Sequence, residues 1–194
     1  MKVIVMVCTA VLFTAGMLAG SSLPAPLAVD SYQVDSIHSS MVFRVKHANA
    51  ANFYGRFNNI SGSFTLDNDP SKCSFNVQIK TDSVDTGNAM RDQHLKSPDF
   101  FNAVQFPTIS FKSTQVKKSG DDAYDVTGDL DLHGVKKSVT AKITKTGSGT
   151  MRGKQIAGVE AVLTIKRSDF GMTLALDMLG DEVHIIVGLE GAKQ

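Results

Sequence analysis

The residues of this chain whose types and spacing could do chemistry are concentrated in the segment MRDQHLKSPDFFNAVQFPTISF, Met90 to Phe111. Arg91, His94 and Asp99 stand close together there, and an arginine can hold a phosphate through two parallel hydrogen bonds. The three residues could therefore form a clamp for an anionic headgroup. The structural alternative is that Asp99 pairs with Arg91 or caps a helix and so holds the shape of the segment. A hydrolase or isomerase that uses His94 and Asp99 on a lipid is the enzymatic alternative.

Other chemistries lack the side chains that they need. No two of the five histidines are spaced i, i+2 or i, i+4, and no cysteine pair is available outside the N-terminal region, so we expect no metal site. A nucleophile elbow and a phosphate-binding loop are also absent from the sequence. We therefore expect a non-enzymatic protein with no catalytic residue and no cofactor. Arg167 and Asp169, which precede Gly171, are predicted to pair where a strand ends.

The N-terminus, MKVIVMVCTAVLFTAGMLAG, places one lysine before a run of apolar and small residues. This order is typical of a secretory signal peptide. A membrane anchor is the alternative, but the run is near the lower length limit for spanning and no basic cluster follows it. We predict a signal peptide over residues 1–28, cut between 19 and 28, and a mature domain over residues 29–194. The protein would then be periplasmic or secreted, with no stable membrane anchor after cleavage.

The charge balance restricts the partners. The chain has 20 Lys+Arg against 19 Asp+Glu, whereas nucleic-acid binding needs a dense basic surface, so no nucleic-acid partner is expected. Only Cys73 remains in the mature domain, which excludes an intramolecular disulfide. The hydrophobic core and the backbone hydrogen bonds must therefore hold the fold. The sequence is compatible with a homodimer.

Most of the mature domain alternates apolar and polar residues with a period of two. In CSFNVQIKT, for example, Cys73, Phe75, Val77 and Ile79 point one way and the polar residues between them point the other. This pattern is typical of antiparallel strands with one face buried. Regular spacing and short turns predict an all-β, up-and-down barrel of about eight strands, with a sandwich as the alternative. The strands are expected near residues 39–47, 57–67, 72–81, 107–116, 122–132, 137–146, 154–166 and 182–190.

Two segments break the alternation. Residues 48–57 are predicted to form a short helical turn. The long connection from about Asp82 to Phe106 is predicted to form a lid with one or two short helices, the second with Ser97 as its N-cap and Pro98 at its first position. Connections of this length are usually functional.

An eight-stranded barrel can be filled by its own side chains or can hold one small ligand. The absence of Trp, the small residues Gly128, Ala141, Ala157 and Ala161, and the lid favour a cavity over a packed core, but the alternation leaves both open. The inward positions that we predict to contact a ligand are Phe43, Val45, Phe64, Phe75, Val77, Ile79, Ile109, Phe111, Leu130, Ile143 and Ile165. His47 joins them at a lumen end, and Leu163, Val183, Ile185 and Val187 are further inward positions.

The apolar lumen selects for lipid. Burying one CH₂ contributes about 0.8 kcal/mol, so four five-carbon isoprene units contribute roughly 12 to 16 kcal/mol. That gain can exceed an association cost of about 4 to 15 kcal/mol, whereas a short metabolite would find too few polar anchors.

Five motifs follow one another along the chain and together cover nearly the whole mature domain. They are YQVDSIHSSMVFRVKH (Tyr32–His47), GRFNNISGSFTLD (Gly55–Asp67), MRDQHLKSPDFFNAVQFPTISFKS (Met90–Ser113), VTGDLDLHGVKKSV (Val126–Val139) and IKRSDFGM (Ile165–Met172). In this order they resemble the YceI-like, polyisoprenoid-binding family of exported bacterial proteins, although DLHGVKKS departs from the family's usual Thr-His-Gly-Val-Thr-like turn. A true lipocalin is not expected, because its Gly-x-Trp signature needs a tryptophan.

The resemblance implies a lipocalin-like antiparallel barrel with an apolar cavity for an isoprenoid tail, either of a polyprenyl carrier or of an isoprenoid quinone. In the lid, Phe100, Phe101 and Phe106 would contact the isoprenoid tail. Arg91 and His94 would lie near the lipid headgroup or in internal ion pairs. The expected role is sequestration, transport or storage of this lipid in the cell envelope. A lipid-directed enzyme in the same cavity and an envelope stress or assembly factor with a packed core remain the alternatives.

Overall fold

The structure, a computed structural model, describes residues 29–194. The predicted signal peptide, residues 1–28, lies outside the described residues. The described part is mainly strand, with one α-helix, α1 (Ala89–Leu95), and three short 3₁₀ turns at Pro70–Lys72, Thr81–Ser83 and Arg167–Phe170. The strands are β1 (Asp30–Val34), β2 (Ser40–His47), β3 (Ala51–Phe57), β4 (Ile60–Leu66), β5 (Ser74–Lys80), β6 (Val84–Asp85), β7 (Thr108–Lys118), β8 (Ala123–Leu132), β9 (Val135–Met151), β10 (Lys154–Lys166) and β11 (Leu179–Lys193).

The strands form one closed antiparallel barrel. Strands β4, β5 and β7 to β11 pair in sequence order, and β1 closes the ring by pairing with both β4 and β11. Three of the eight positions around the barrel, which we call staves, are each made of two short strands that lie end to end. These pairs are β1 with β2, β3 with β4, and β5 with β6. The predicted eight-stranded up-and-down barrel is therefore confirmed, and the sandwich alternative is wrong.

The predicted helical turn at residues 48–57 is wrong, because most of it is strand β3. Gly55 explains the pairing: it lies opposite Phe43, whose ring occupies the space that a Cβ at Gly55 would need, 2.3 Å away. The second lid helix is also absent. The hydroxyl of Ser97 instead accepts a hydrogen bond from the amide of Asp99 at 3.3 Å and stabilises a turn.

The connections divide the barrel into two ends. The lid, residues 86–107, lies at the same end as residues 48–50, 133–134 and 167–178, and we call this the lid end. The opposite end, which we call the far end, carries the connections 67–73, 119–122 and 152–153. The sequence of an up-and-down barrel dictates this division, since consecutive connections alternate between the two ends.

Aromatic rings close the far end. Phe64 lies between Tyr32 and Phe75, with ring centroids 5.2 and 6.2 Å away and both pairs only 16° from parallel. All three side chains are buried, and Gly191 lies against the ring of Phe64, where a Cβ would come within 2.7 Å. The far end is therefore solid.

Gly62 in β4 is predicted to tolerate no side chain. Its φ is +137°, and a Cβ would lie 2.1 Å from the carbonyl oxygen of Asn76, a backbone atom of the neighbouring strand that cannot rotate away. We expect Gly62→Ala to lower the free energy of unfolding by about 2 to 3 kcal/mol, measured by urea denaturation. Gly188→Ala is the matched control, because its φ is ordinary and its nearest contact would be 3.8 Å. Equal stability of the two variants would contradict the prediction.

Candidate functional site

An apolar cavity of about 180 Å³ lies inside the barrel. All of its lining residues are apolar except Ser110 and Arg167. The walls come from every stave, and the lid contributes Leu95, Phe100 and Phe101. The cavity therefore extends from the lid towards the aromatic stack at the far end.

The lumen is hollow rather than packed. Val77, Phe111, Leu163 and Val187 point into the barrel and line the cavity, yet they are only half-buried. Side chains in a packed core lose almost all of their exposed surface to neighbours, as Phe64 does at the far end. These four side chains therefore border empty space, which contradicts the packed-core alternative.

The strand period positions the lining. In β10, Val159, Ala161, Leu163 and Ile165 all line the cavity, because alternate residues of a strand face the same side. Ala161 lies between Ile143 and Val187 on the neighbouring strands, and its small side chain leaves the space in front of it free. The alternation thus sets which residues face inward, and their sizes set the width of the lumen.

The lid is fastened to the barrel by defined contacts. The hydroxyl of Thr81, which is buried, donates to the carbonyl of Phe106 at 2.7 Å. The ring of Phe101 meets that of Phe57 edge-on at 5.3 Å, and its amide donates to the carbonyl of Leu95 at 2.9 Å. The lid therefore presents a fixed apolar surface to the cavity.

Arg167 is the single charged residue among those that line the cavity, and it is 5% exposed. Its guanidinium donates to four backbone carbonyls, at 2.8 Å for Met172, Leu174 and Leu179 and at 3.0 Å for Gly180. Burial lowers the pKa of the guanidinium, and the charge of Asp181 opposes this shift. Arg167 thus organises the loop at residues 171–180, which forms one side of the lid end.

The predicted pair of Arg167 and Asp169 is not formed. The Asp169 carboxylate lies 3.3 Å from the ammonium of Lys137 instead. The carboxylate of Asp181 supports this corner instead. It accepts hydrogen bonds from the amide and the hydroxyl of Ser168 at 2.9 and 2.8 Å. These hydrogen bonds lower the pKa of Asp181.

Most of the predicted ligand contacts line the cavity. Several lining residues were not predicted. Some of them obey the same alternation, as Met41 shares a face with Phe43 and Leu132 shares one with Leu130, whereas Leu95 lies in α1 and Met172 in a loop. The predicted contacts in the lining are Phe43, Val45, Phe75, Val77, Ile79, Phe100, Phe101, Ile109, Phe111, Leu130, Ile143 and Ile165, and the unpredicted ones include Met41, Phe57, Leu95, Leu132, Val159, Met172, Leu179 and Leu189.

The three residues of the predicted headgroup clamp are not brought together around the cavity. The ring of His94 lies 3.0 Å from the carboxylate of Asp99, and both side chains are more than half exposed. Arg91 lies over the ring of Phe53 at 4.4 Å and donates to the hydroxyl and carbonyl of Thr86 at 2.7 and 2.8 Å. The predicted Asp99–Arg91 pair is therefore replaced by an Asp99–His94 pair, and Arg91 fastens α1 to β3.

Three other predicted contacts also lie outside the cavity lining. His47 is exposed at the end of β2, where it pairs with Leu179 of β11. Phe64 belongs to the aromatic stack at the far end. Phe106 meets the ring of His133 edge-on at 5.0 Å, and a Cβ at Gly134 would lie 2.4 Å from the Phe106 ring, so Phe106 packs against the β8–β9 turn.

A histidine–carboxylate cluster joins the bend between β1 and β2 to β11. The Nδ1 atom of His38 lies 3.0 Å from Asp35 and 3.7 Å from Glu190. The hydrogen bond to Asp35 is the main cause that raises the pKa of His38 and lowers the pKa of Asp35. The three side chains each offer one ligand atom of a kind that metals bind, and these atoms lie within 4.8 Å of one another.

The raised pKa of His38 predicts a pH dependence of stability. A group whose pKa is higher in the folded state contributes stability below its unfolded pKa of 6.5 and loses it as the pH rises through the folded value. We expect the wild type to lose stability relative to His38→Gln as the pH rises from about 6 to 8. Asp35 and Glu190 favour the charged ring and Arg152 opposes it. Parallel urea-denaturation profiles of the two proteins across this range would contradict the prediction.

Within residues 29–194, no helix has the length and apolar character that crossing a bilayer requires.

Comparison with known proteins places the chain in a family. A model of the YceI-like domain matches residues 32–191. A UPF0312 protein of Pseudomonas paraeruginosa is 42% identical over 178 residues, which cover 91% of each chain. The solved structure of Burkholderia cenocepacia BcnA matches with a TM-score of 0.75 and 26% identity, over 81% of this chain and 98% of BcnA. A polyisoprenoid binding domain from Saccharophagus degradans shares the fold with a TM-score of 0.66 at 16% identity, over 84% of this chain and 98% of that domain.

The match to the family model over nearly all of the described residues, the identity to the Pseudomonas protein and the agreement in fold lead to one conclusion: this chain belongs to the YceI-like family.

Proposed function

We propose that the protein binds an isoprenoid lipid, either a polyprenyl carrier or an isoprenoid quinone, in the barrel lumen, and that it sequesters, transports or stores this lipid in the cell envelope. The carrying observation is the hollow apolar lumen, which is closed at the far end by aromatic rings and bordered by half-buried side chains. Binding of a hydrocarbon tail to an empty apolar surface of this kind lowers the free energy, because apolar surface is removed from water.

The lining argues for an apolar tail with its headgroup at the lid end. Ser110 and Arg167 are the only polar residues among those that line the cavity, and Arg167 already donates to four carbonyls. Both residues lie towards the lid end, so a polar headgroup finds no polar side chain among the lining residues deeper in the lumen. The tail enters first, and the headgroup stays near the lid.

The comparisons support the same ligand class at a coarser level. The family assignment rests on the whole domain, and the S. degradans domain, which is described as polyisoprenoid binding, has the same fold.

The test is to identify the lipid that purifies with the protein. Organic extraction followed by mass spectrometry is expected to recover a prenyl lipid, and adding ubiquinone to lipid-free protein is expected to raise the melting temperature. A saturated fatty acid of similar length serves as the control for general hydrophobic binding. Recovery of no prenyl lipid together with an unchanged melting temperature would contradict the proposal.

A non-enzymatic role fits the positions of the residues that could do acid–base chemistry. His94 and Asp99 pair with each other on the outside of the lid, and neither lines the cavity. A general acid or base must come within hydrogen-bond reach of the reacting group. We therefore propose a binding protein, and turnover of a prenyl substrate that is lost in both His94→Ala and Asp99→Ala would contradict this.

We also propose export to the periplasm or the outside of the cell, because the N-terminal sequence has the pattern of a secretory signal peptide. Mass spectrometry of the protein isolated from a periplasmic fraction is expected to show a chain that lacks between 19 and 28 N-terminal residues. A protein of full mass in the cytoplasmic fraction would overturn this part of the proposal.

A further inference from the structure

Of the ten large apolar side chains exposed among residues 29–194, five lie on the connections at one end of the barrel. At the lid end these are Met90 at 86%, Val104 at 95%, Leu174 at 42%, Leu176 at 43% and Met178 at 54% exposure. We call these five residues the apolar rim. Exposed apolar side chains that are concentrated on one face of a protein mark an interaction surface, whereas scattered ones do not.

The far end of the barrel differs. Its connections at residues 67–73, 119–122 and 152–153 read DNDPSKC, SGDD and RG, which are largely charged or polar. Met151 is the large apolar residue exposed there, at 37%. Exposed large apolar residues are therefore more numerous at the end of the barrel that carries the lid.

The rim is continuous with the wall of the cavity. Leu174, Leu176 and Met178 lie on the loop between Met172 and Leu179, and both of these flanking residues line the cavity. The loop is held in place, because Arg167 binds the carbonyl of Leu174 and the amide of Ala48 donates to the carbonyl of Met178 at 2.6 Å.

The lid shows the same arrangement on the other side. In α1, Leu95 lines the cavity while Met90 is exposed, and in the turns that follow, Phe100 and Phe101 line the cavity while Val104 is exposed. Both borders of the lid end thus place one set of apolar residues on the lumen and another on the outside.

We propose that the apolar rim inserts into the surface of a lipid bilayer, so that the isoprenoid passes directly between the bilayer and the lumen. This inference rests on the proposed function. Each methylene group in a lipid tail lowers the partition coefficient of the lipid from hydrocarbon into water about fourfold. A long prenyl chain therefore cannot cross bulk water at a useful rate. A bilayer docked on the rim removes the aqueous step, and a few exposed apolar side chains give the reversible attachment that a carrier needs.

The test measures how the lipid is loaded. Vesicles of phosphatidylcholine and phosphatidylethanolamine contain pyrene-labelled lipid quenched by ubiquinone, and departure of the quinone restores the fluorescence. The chain from residue 29 is used, because it contains every strand of the barrel, and because residues 1–28 carry an apolar run that could bind vesicles itself. Transfer through contact is expected to speed up in proportion to protein concentration. Transfer through water is limited by departure of the quinone and would be independent of protein concentration, which would overturn the proposal.

The rim variant Leu174→Ser/Leu176→Ser/Met178→Ser is expected to load at least about tenfold more slowly, with its affinity for quinone in detergent changed less than about twofold. The matched control is Ile37→Ser/Ile186→Ser, which removes apolar residues of 85% and 47% exposure outside the rim and should load like the wild type. Met90→Ser/Val104→Ser on the lid tests the rim without altering the loop. Equal loading rates for the rim and control variants would overturn the proposal. A rim that binds a protein partner instead of a bilayer predicts this same result.

Flotation of lipid-free protein with quinone-free vesicles separates this inference from the proposed function. Wild type and control are expected to float with the vesicles, and the rim variant is expected to float at least about fivefold less. Loss of quinone binding in detergent by every protein, with this flotation difference intact, would remove the proposed ligand and leave the docking surface. Failure of the wild type to float, with quinone binding intact, would remove the docking surface alone.

Discussion

Replacing Ala161 by phenylalanine is expected to weaken isoprenoid binding by roughly 100- to 1,000-fold while the barrel stays folded. Ala161 lines the cavity and is only half-buried, so the new ring would extend into the empty lumen. A phenylalanine side chain displaces about one isoprene unit, whose burial contributes roughly 3 to 4 kcal/mol. Titration of ubiquinone into lipid-free protein measures the loss.

The adjacent residue supplies the control. Val162 is 40% exposed and points to the outer face of the same strand, between Lys142 and Ile186. Val162→Phe should bind ubiquinone like the wild type. Both variants are expected to unfold close to the wild-type temperature, because neither new ring meets a packed core. Undiminished binding by Ala161→Phe, with a normal melting temperature, would mean that the ligand does not occupy the lumen.

The sequence predicts the barrel wall well because a strand's alternation is local. In β10, for example, Ala161, Leu163 and Ile165 were assigned to the inner face from the sequence, and all three line the cavity. The alternation says which side chains face inward but not how far apart opposite walls lie. The cavity could therefore be established only from the structure, although the small side chains of Ala141 and Ala161 already favoured it.

The failures have a common physical origin in contacts between distant segments. Strand β3 was missed because its pairing depends on Gly55 making room for Phe43 of the preceding strand, which local propensity does not reveal. The headgroup clamp failed for a similar reason: Arg91 sits on Phe53, a residue far from it in the sequence. Spacing along the chain could not distinguish these partners from Asp99.

Arg167 carries the least visible signal of all. Its partners are carbonyls, which every residue possesses, so no residue type marks Met172 to Gly180 as its binding loop. The expected partner, Asp169, is an obvious opposite charge and is the wrong one. A buried arginine that is satisfied by the backbone is recognisable only from coordinates.

Arg167→Met is accordingly expected to lower the free energy of unfolding by about 3 to 5 kcal/mol in urea denaturation. Four carbonyls lose their donor, and each buried acceptor left unsatisfied costs about 1 to 3 kcal/mol, although those in the exposed loop regain water. Arg167→Lys should fall between the wild type and Arg167→Met, because an ammonium group has three donors and cannot reach all four oxygens. Arg56→Met is the control, since Arg56 is 61% exposed and makes a single surface ion pair with Asp85, so its loss should stay within about 0.5 kcal/mol. A loss below about 1 kcal/mol for Arg167→Met would mean that the loop at the lid end is held by its apolar contacts and not by the guanidinium.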